Sequence, residues 1–237
     1  MTGPFPVELL LGDTLAVARS LIGARLVRGS GPDARIGRIV EVEAYIGPED
    51  LACHARTGLT RRNATMFGPP GRAYVYLVYG MYHCLNVVTE PEGSPSAVLI
   101  RAVEPLSGIE HMRRARAERL AAARRTTPSE ANARPAVGTS AAGPASNGAR
   151  LAAGPGLVCV AFSIGRADDG ANLCDPRADL RLEAAPIGES LPIQAGPRVG
   201  IDYAPEPWRS RPWRFYVPGN ASVSVAAGPG QDAGLAR

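Results

Sequence analysis

The sequence predicts a mixed α/β fold of the α+β type, a single domain of short, mostly antiparallel strands with one inserted loop. Three observations lead to this prediction. The chain has 237 residues, of which 45% are hydrophobic, and this is enough for a sizeable core. Short β-prone runs outnumber the segments with helical periodicity. One long run rich in Ala, Pro, Ser, Gly and Thr has no periodicity.

The helices and strands can be placed in order along the chain. Asp13 or Thr14 can cap a first helix, whose apolar residues repeat at helical spacing until Gly23 ends it. A second helix is predicted from Ser107, which forms a capping-box pattern with Glu110, to about residue 125. Strand patterns cover residues 24–27, 36–45, 73–88 (a hairpin turning at 79–80), 97–103, 181–183, 198–201 and 213–217, and residues 157–164 fit either a strand or a helix.

The domain is predicted to span residues 1–225, with a flexible insertion at 126–149 and a frayed, Gly- and Ala-rich tail at 226–237. No stretch approaches the roughly 18 consecutive apolar residues of a membrane span. The N-terminus lacks the basic and apolar regions of a secretory signal, so we expect a cytosolic protein.

The basic residues are unusual because all 26 of them are arginine. Without lysine, no side-chain amine can form a Schiff base, and only the terminal amine escapes this exclusion. Any glycosidic or carbonyl chemistry must therefore use water or another nucleophile. The net charge of +4 and the pI near 9.1 permit a polyanionic partner but do not require one.

The cysteines are predicted to be buried free thiols, because none of them forms a C-x-x-C pair. The dipeptides Cys53-His54 and His83-Cys84 each combine two residue types that bind zinc. Adjacent residues of a strand point in different directions, so each pair would offer one ligand. We therefore expect no bound metal.

The strand at 36–45 carries two carboxylates, Glu41 and Glu43, on the face that also holds Ile39 and Tyr45. Glu43 beside Tyr45, with His54 following, fits a general base in a half-apolar pocket. The alternative is an exposed strand glutamate paired with an arginine.

Aromatic residues are concentrated in the predicted hairpin, which holds four of the seven tyrosines. Tyr74 and Tyr76 share a strand face, where aromatic residues usually belong to the core. The flat side chains of Tyr45, His54 and Tyr76 also suit stacking on an extruded base. Tyr79 lies at the glycine-containing tip, where an exposed ring can act as a wedge between stacked bases. The arginine-rich second helix fits a solvated surface and a phosphate-facing surface equally well.

Two long runs, RIVEVEAYIGPEDLACHA at 38–55 and MFGPPGRAYVYLVYGMYHCLNVV at 66–88, resemble the 3-methyladenine (alkyladenine) DNA glycosylase family. The resemblance continues through LIRAVEP, RLAAGPGLV, RVGI and PWRFYVPGN, in order and over most of the chain. It implies a compact domain around a curved antiparallel sheet with a protruding hairpin. It also implies double-stranded DNA with damaged purines as the partner, and no cofactor. Since no heptads are present, we expect a monomer.

The resemblance assigns roles to residues around the first motif. Glu43 matches the family's water-activating glutamate, and Arg101 matches an arginine near that glutamate and its water. Tyr45, His54 and Tyr76 match the residues that enclose a flipped base. The sequence does not identify the acid that would protonate a neutral leaving base, and Glu41 is the only candidate considered.

Further matched residues would contact or select DNA. Tyr79 matches the tyrosine that enters the minor groove, and Asn86 matches the asparagine that obstructs the exocyclic amino group of normal guanine. Contacts with the DNA backbone are predicted for Arg61, Arg62, Asn63 and Arg150. Arg150 is included because the family's G-P-x-K-L segment lacks its lysine here, at Gly154-Pro155-Gly156-Leu157.

Two other functions remain open at this point. One is a non-catalytic nucleic-acid-binding protein of the same fold, which would not need Glu43, Tyr45 and His54 in this arrangement. The other is a metal-dependent hydrolase using His54, Glu41 and Glu43.

Overall fold

Eight strands form one curved antiparallel sheet in the computed structural model, which describes residues 3–78, 80–126 and 148–225. The strands are β1 (Arg25–Arg28), β2 (Arg35–Ile46), β3 (Ala73–Val78), β4 (Tyr82–Thr89), β5 (Ser96–Ser107), β6 (Leu180–Glu183), β7 (Gln194–Gly196) and β8 (Arg214–Tyr216). The helices are α1 (Val7–Leu10), α2 (Thr14–Leu21), α3 (Ile109–Thr126) and α4 (Pro155–Ala161). The predicted mixed α/β fold around a curved antiparallel sheet is confirmed. Tyr79, the predicted tail and most of the predicted insertion lie outside the described residues.

The order of strands makes β2 the centre of the sheet. The main path runs β3-β4-β5-β2-β1-β6, and β8 also pairs with β2 and carries β7 on its other side. β1 pairs with β2 at residues 35–38 of β2, and β8 pairs with it at residues 41–43. Because β2 changes its neighbour here, Glu41 and Glu43 lie where β5 and β8 flank the same stretch of strand.

Three irregularities interrupt the pairing of β2 with β5, and the two nearest the carboxylates are opposed. Ile39 pairs with Val103 and Glu41 with Ala102, so Val40 is an extra residue on β2. The next pair joins Val42 to Ile100, which leaves Arg101 as the extra residue on β5. Bulges redirect side chains locally. As a result Ile39 joins Val40 in the hydrophobic core, and the predicted shared face begins at Glu41.

The main core lies on one side of the sheet and is covered by α2 and α4. Asp13 caps α2 by accepting hydrogen bonds from the backbone N–H groups of Leu15 and Ala16. α2 then buries Val17 and Leu21 against the sheet. The other side of β2 is left to its carboxylates and to a smaller cluster that includes Tyr74.

The hairpin of β3 and β4 projects from the sheet. Val78 pairs with Tyr82 across its tip, and Gly80 takes the left-handed φ of 68° that favours glycine. Nothing lies within 4 Å of a Cβ placed on Gly80, and Met81 is largely exposed. The base of the tip is braced by α3, because Arg119 donates to the carbonyl of Met81 at 2.8 Å.

Three predictions of local structure were wrong or undecided. β5 continues through Ser107, which pairs with Ile36, so α3 begins at Ile109 without the predicted capping box. Residues 198–201 are not a strand, and the neighbouring strand is β7. The segment at 157–164 is mainly helical, as α4.

Candidate active site

Glu43 is a fully buried carboxylate whose two oxygens have different partners. Oε1 accepts the backbone N–H of Val199 at 2.6 Å and lies 3.3 Å from Nη1 of Arg101. Oε2 accepts the hydroxyl of Tyr45 at 2.9 Å. Oε2 thus has one described partner where Oε1 has two, so Oε2 is the oxygen better suited to accept a proton.

Tyr45 is the immediate neighbour of this carboxylate. Burial, followed by the charge of Glu43, raises the pKa of its hydroxyl well above the usual value. The hydroxyl therefore stays protonated and donates to Glu43. The ring of Tyr45 lies partly exposed beside the smaller cluster, next to Tyr76.

Arg101 links Glu43 to the second carboxylate of β2. Its Nε donates to Oε1 of Glu41 at 3.2 Å, and its Nη2 donates to the hydroxyl of Ser224 at 3.1 Å. Burial alone would lower the pKa of the guanidinium, but Glu43 and Glu41 more than offset this and raise it. Arg101 is therefore a permanent cation held between two buried carboxylates.

Glu41 is not placed to act as an acid. Its Oε1 also accepts from Arg214 at 3.0 Å, and its Oε2 accepts the backbone N–H of Ser224 at 2.6 Å. Two guanidinium groups and a backbone N–H thus engage both oxygens of this fully buried carboxylate. Glu41, the candidate acid of the sequence analysis, is therefore not placed to protonate a leaving base.

The buried pair Arg198–Asp50 was missed by the sequence analysis. Nη1 and Nη2 of Arg198 reach the two carboxylate oxygens of Asp50 at 2.5 and 2.9 Å, and Nη1 also donates to the carbonyl of Ala44. The guanidinium stacks between the rings of Tyr45 and Trp213, 4.7 and 5.0 Å from their centroids. Because the next residue is Val199, the same arginine anchors the N–H that binds Glu43.

A cluster of aromatic rings, which we call the aromatic pocket, lies beside Tyr45. His54 and Tyr76 meet edge to face with centroids 4.5 Å apart, and Tyr74 lies 5.4 Å from Tyr76. Nδ1 of His54 is hydrogen-bonded to the hydroxyl of Tyr74 at 2.9 Å. Burial, followed by the charges of Arg62 and Arg56, lowers the pKa of His54, so its imidazole is neutral at neutral pH.

Asn86 lies on β4, paired in register with Tyr74 on β3 and with Leu99 on β5. It is almost fully buried, and its side-chain Nδ2 donates to the carbonyl of Tyr74 at 3.0 Å. This bond fixes the orientation of the amide within the sheet, on the strand pair that carries the aromatic pocket.

The predicted DNA-backbone residues fall into different environments. Arg61 is exposed, whereas Arg62 donates to the carbonyl of Leu77 and so ties its loop to the hairpin. Asn63 is buried, and its side-chain amide bonds to Gly58 and to Thr60 within the loop. Asn63 therefore orders the loop, and its buried side chain is not placed to contact phosphate as the sequence analysis predicted.

Arg150 and the arginines of α3 are partly engaged with the protein itself. Arg116 donates to the carbonyl of Arg150 at 2.7 Å, and Arg150 reaches the carbonyl of Val223 at 3.5 Å. Arg113 pairs with Glu110 on the exposed face of the helix. The helix is thus neither wholly solvated nor wholly free to face phosphate.

A cavity of about 380 Å³ lies elsewhere, between the hairpin, α3 and α4. Its lining includes Tyr82, His83, Arg119 and Cys159, and none of the residues around Glu43. Burial of ionised groups and convergent hydrogen bonds distinguish the Glu43 site from this cavity. We therefore place the candidate site at Glu43.

The part of the chain that the structure describes contains neither a metal-ligand cluster nor a membrane-spanning helix. There, no group of three or more His, Cys, Asp or Glu side chains is placed to hold a metal ion. The four cysteines are free thiols, three of them buried. No helix in the described ranges has the length and apolarity needed to cross a membrane.

A buried carboxylate beside an aromatic pocket, on a curved sheet with a projecting hairpin, defines a candidate hydrolytic site for a flat, base-like group. Comparison with known proteins identifies the family. The family model described as methylpurine-DNA glycosylase matches residues 8–221, so the chain belongs to that family of DNA-repair glycosylases, whose substrate is DNA.

Similar proteins cover nearly the whole chain. One from Myxococcus xanthus is 42% identical over 226 residues, which is 95% of this chain and 96% of that protein. One from Methanocella arvoryzae is 46% identical over 215 residues (90% and 92%), and one from Bacillus cereus is 42% identical over 222 residues (92% and 98%). Their names assign all three provisionally as 3-methyladenine DNA glycosylases.

Proposed function

We propose that the protein is a monofunctional DNA glycosylase of base-excision repair. It flips a damaged purine out of duplex DNA and hydrolyses the N-glycosidic bond with water activated by Glu43, leaving an abasic site. The proposed lesions are of the 3-methyladenine, 7-methylguanine, hypoxanthine or ethenoadenine class. The observation that carries the proposal is the set of partners around the fully buried Glu43: Val199 and Arg101 meet Oε1, whereas Tyr45 is the one described partner of Oε2.

Recognition of the base rests on the aromatic pocket. The rings of Tyr45, His54 and Tyr76 offer flat surfaces of the kind on which an extruded base stacks. A neutral His54 adds no repulsion toward a cationic alkylated purine, and such bases are good leaving groups. Asn86, whose amide is fixed by Tyr74, is suited to reject the exocyclic amino group of normal guanine.

The chemical step follows from the partners of Glu43. A water molecule held at Oε2 attacks the anomeric carbon of the sugar and transfers a proton to the carboxylate. The new bond joins the water oxygen to that carbon, and the base leaves with the electron pair of the glycosidic bond. Positive charge that builds on the sugar is stabilised by the adjacent carboxylate.

DNA binding is proposed to begin with arginine contacts to phosphate. Arg61 is exposed and Arg62 borders the pocket, while Arg150 lies further away beside Val223. Such contacts are largely independent of sequence and weaken as salt rises. Tyr79 would then fill the space left by the flipped nucleotide, at an unstacking cost of a few kcal/mol, which is lowest for a damaged or mispaired base.

The experiment that tests the proposal is single-turnover excision from a duplex containing one hypoxanthine or one ethenoadenine, in the presence of a strong chelator. We expect abasic product from the wild type, and at least a ~100-fold slower reaction from Glu43→Gln with DNA binding retained. Arg209→Met, which loses only an exposed ion pair, is the matched control.

Each outcome assigns a function. Excision by Glu43→Gln at the wild-type rate would contradict the role of this carboxylate. Loss of activity in chelator would favour the metal-dependent hydrolase. If the wild type binds duplex DNA but releases no base from these lesions or from alkylated DNA, the non-catalytic binding protein becomes the better reading.

A further inference from the structure

Glu41 is a second fully buried carboxylate, two residues from Glu43, and the proposed reaction does not use it. We propose that Glu41 is a positioning residue that keeps Arg101 from occupying the basic oxygen of Glu43. This inference rests on the proposed function, because it concerns the reactivity of Glu43 in base excision.

Both carboxylate oxygens of Glu41 are held by groups other than Arg101. Arg214 holds its Oε1 and the backbone of Ser224 holds its Oε2, at 3.0 and 2.6 Å. Arg214 also donates to the carbonyl of Val225 at 3.3 Å. The residues Ser224 and Val225 are therefore tied to Glu41, directly and through Arg214, and Glu41 is held in place for its other partner, Arg101.

Each of the three nitrogens of the Arg101 guanidinium has a different partner. Nε points to Glu41 and Nη2 points to the hydroxyl of Ser224. Only Nη1 is left for Glu43, and it approaches Oε1 at 3.3 Å, longer than the other contacts of this guanidinium. Arg101 thus meets Glu43 with one nitrogen and on one oxygen.

Without Glu41, the guanidinium of Arg101 would be able to rotate toward Glu43. A guanidinium and a carboxylate prefer a bidentate pair, in which two nitrogens bind two oxygens. If Arg101 turned to form that pair, it would cover Oε2 of Glu43, the oxygen proposed to hold the water molecule. Glu41 opposes this rotation by holding Nε of Arg101. The guanidinium charge then stabilises Glu43 at Oε1 and leaves Oε2 uncovered.

The buried charges around Glu41 also balance. Glu41, Glu43, Arg101 and Arg214 are at most 6% exposed, and together they carry two negative and two positive charges. A buried cluster of this kind is costly to disturb by one charge. Removing Glu41 and Arg214 together leaves the Arg101–Glu43 pair neutral, and this separates loss of positioning from loss of charge balance.

The test compares Glu41→Gln, the double variant Glu41→Gln/Arg214→Gln, and Ser224→Ala with the wild type. Single-turnover excision at saturating enzyme gives a rate constant and an amplitude, and active sites are counted by titration with a duplex carrying an uncleavable abasic analogue. Asp168→Asn is the matched control, because that carboxylate also binds an arginine and a backbone N–H but lies away from the site.

We expect the rate constant of Glu41→Gln and of the double variant to fall roughly 10- to 100-fold, the scale of a misplaced catalytic group. Affinity for the abasic-analogue duplex should stay within about threefold of the wild type, and the double variant should melt at a higher temperature than Glu41→Gln. Ser224→Ala, which loses one neutral contact to Arg101, should lose a smaller part of the rate. Asp168→Asn should excise at the wild-type rate.

A structural role for Glu41 would give a different pattern. Variants that misfold in part would lose amplitude but keep the wild-type rate constant, and that result would overturn the inference. A double variant that regains the wild-type rate together with its stability would do the same. If the wild type excises no base while the abasic analogue still binds, it is the proposed function that fails, and this inference falls with it.

Discussion

The pair of Arg198 and Asp50 gives the sharpest prediction about stability. Arg198→Met keeps a long apolar stem but leaves Asp50 fully buried, with only the backbone N–H groups of Ile46 and Ala52 as partners. Breaking a buried ion pair from one side costs about 3–5 kcal/mol, because the remaining charge is stranded. The lost stacking on Tyr45 and Trp213 adds to this, on the order of 1 kcal/mol per ring.

Urea unfolding at neutral pH measures this loss. We expect Arg198→Met to lower the free energy of unfolding by at least about 3 kcal/mol. Arg198→Met/Asp50→Asn should recover about half of the loss, because the stranded charge is gone while the hydrogen bonds of Arg198 to the carbonyls of Ala44 and Trp208, each worth ~1 kcal/mol, are still missing. Arg209→Met should change the free energy by at most about 1 kcal/mol, since its ion pair with Glu206 is exposed.

Two results would refute this reasoning. A loss below about 1 kcal/mol in Arg198→Met would mean that Asp50 finds water or becomes protonated at little cost. A double variant no more stable than the single one would place the loss in packing and not in charge. Excision by the folded fraction should also slow in both variants, because the loop that presents the Val199 N–H to Glu43 loses its anchor.

Three further predictions follow. Tyr79→Ser should weaken binding to damaged duplex more than to undamaged duplex in a titration at fixed salt, and equal losses would argue against a wedge. Borohydride should trap no adduct and the DNA should not be nicked, because the chain has no lysine to form a Schiff base; a trapped adduct would contradict this. Because the pKa of His54 is lowered in the folded state, its contribution to stability is complete above about pH 6.5 and is lost as pH falls from there through the folded-state pKa. His54→Gln should therefore reduce the difference between urea midpoints at pH 7.5 and 5.5, and an unchanged difference would be inconsistent with a neutral imidazole.

Much of the site lies on elements that local pattern could predict. β2 was recognised by its β-prone residues, and period-two alternation correctly placed Glu41, Glu43 and Tyr45 on one face. The hairpin was recognised because Tyr-rich strands flank Gly80, the residue that tolerates the left-handed turn. These signals are local, so no knowledge of distant partners was needed.

The errors share a physical cause, which is competition from partners distant in sequence. Ser107 satisfies a capping pattern, but pairing with Ile36 extends β5 and takes precedence. RVGI is β-prone, yet this segment is fixed by the side chain of Arg198 and by the bond from Val199 to Glu43, 156 residues away. The extra residues Val40 and Arg101 exist only in the register between two strands, which no single segment encodes.

The same long-range contacts couple the orientations of the side chains in this site. Arg198 stacks on Tyr45, the ring proposed to meet the base, and its neighbour Val199 holds Glu43, the group proposed to activate water. Tyr45 in turn donates to Glu43. We therefore expect a displacement of any of the three to move the others, because they contact one another directly. Base stacking and alignment of the carboxylate are therefore coupled through one arginine, and a lesion that stacks poorly on Tyr45 should be excised slowly even where it binds.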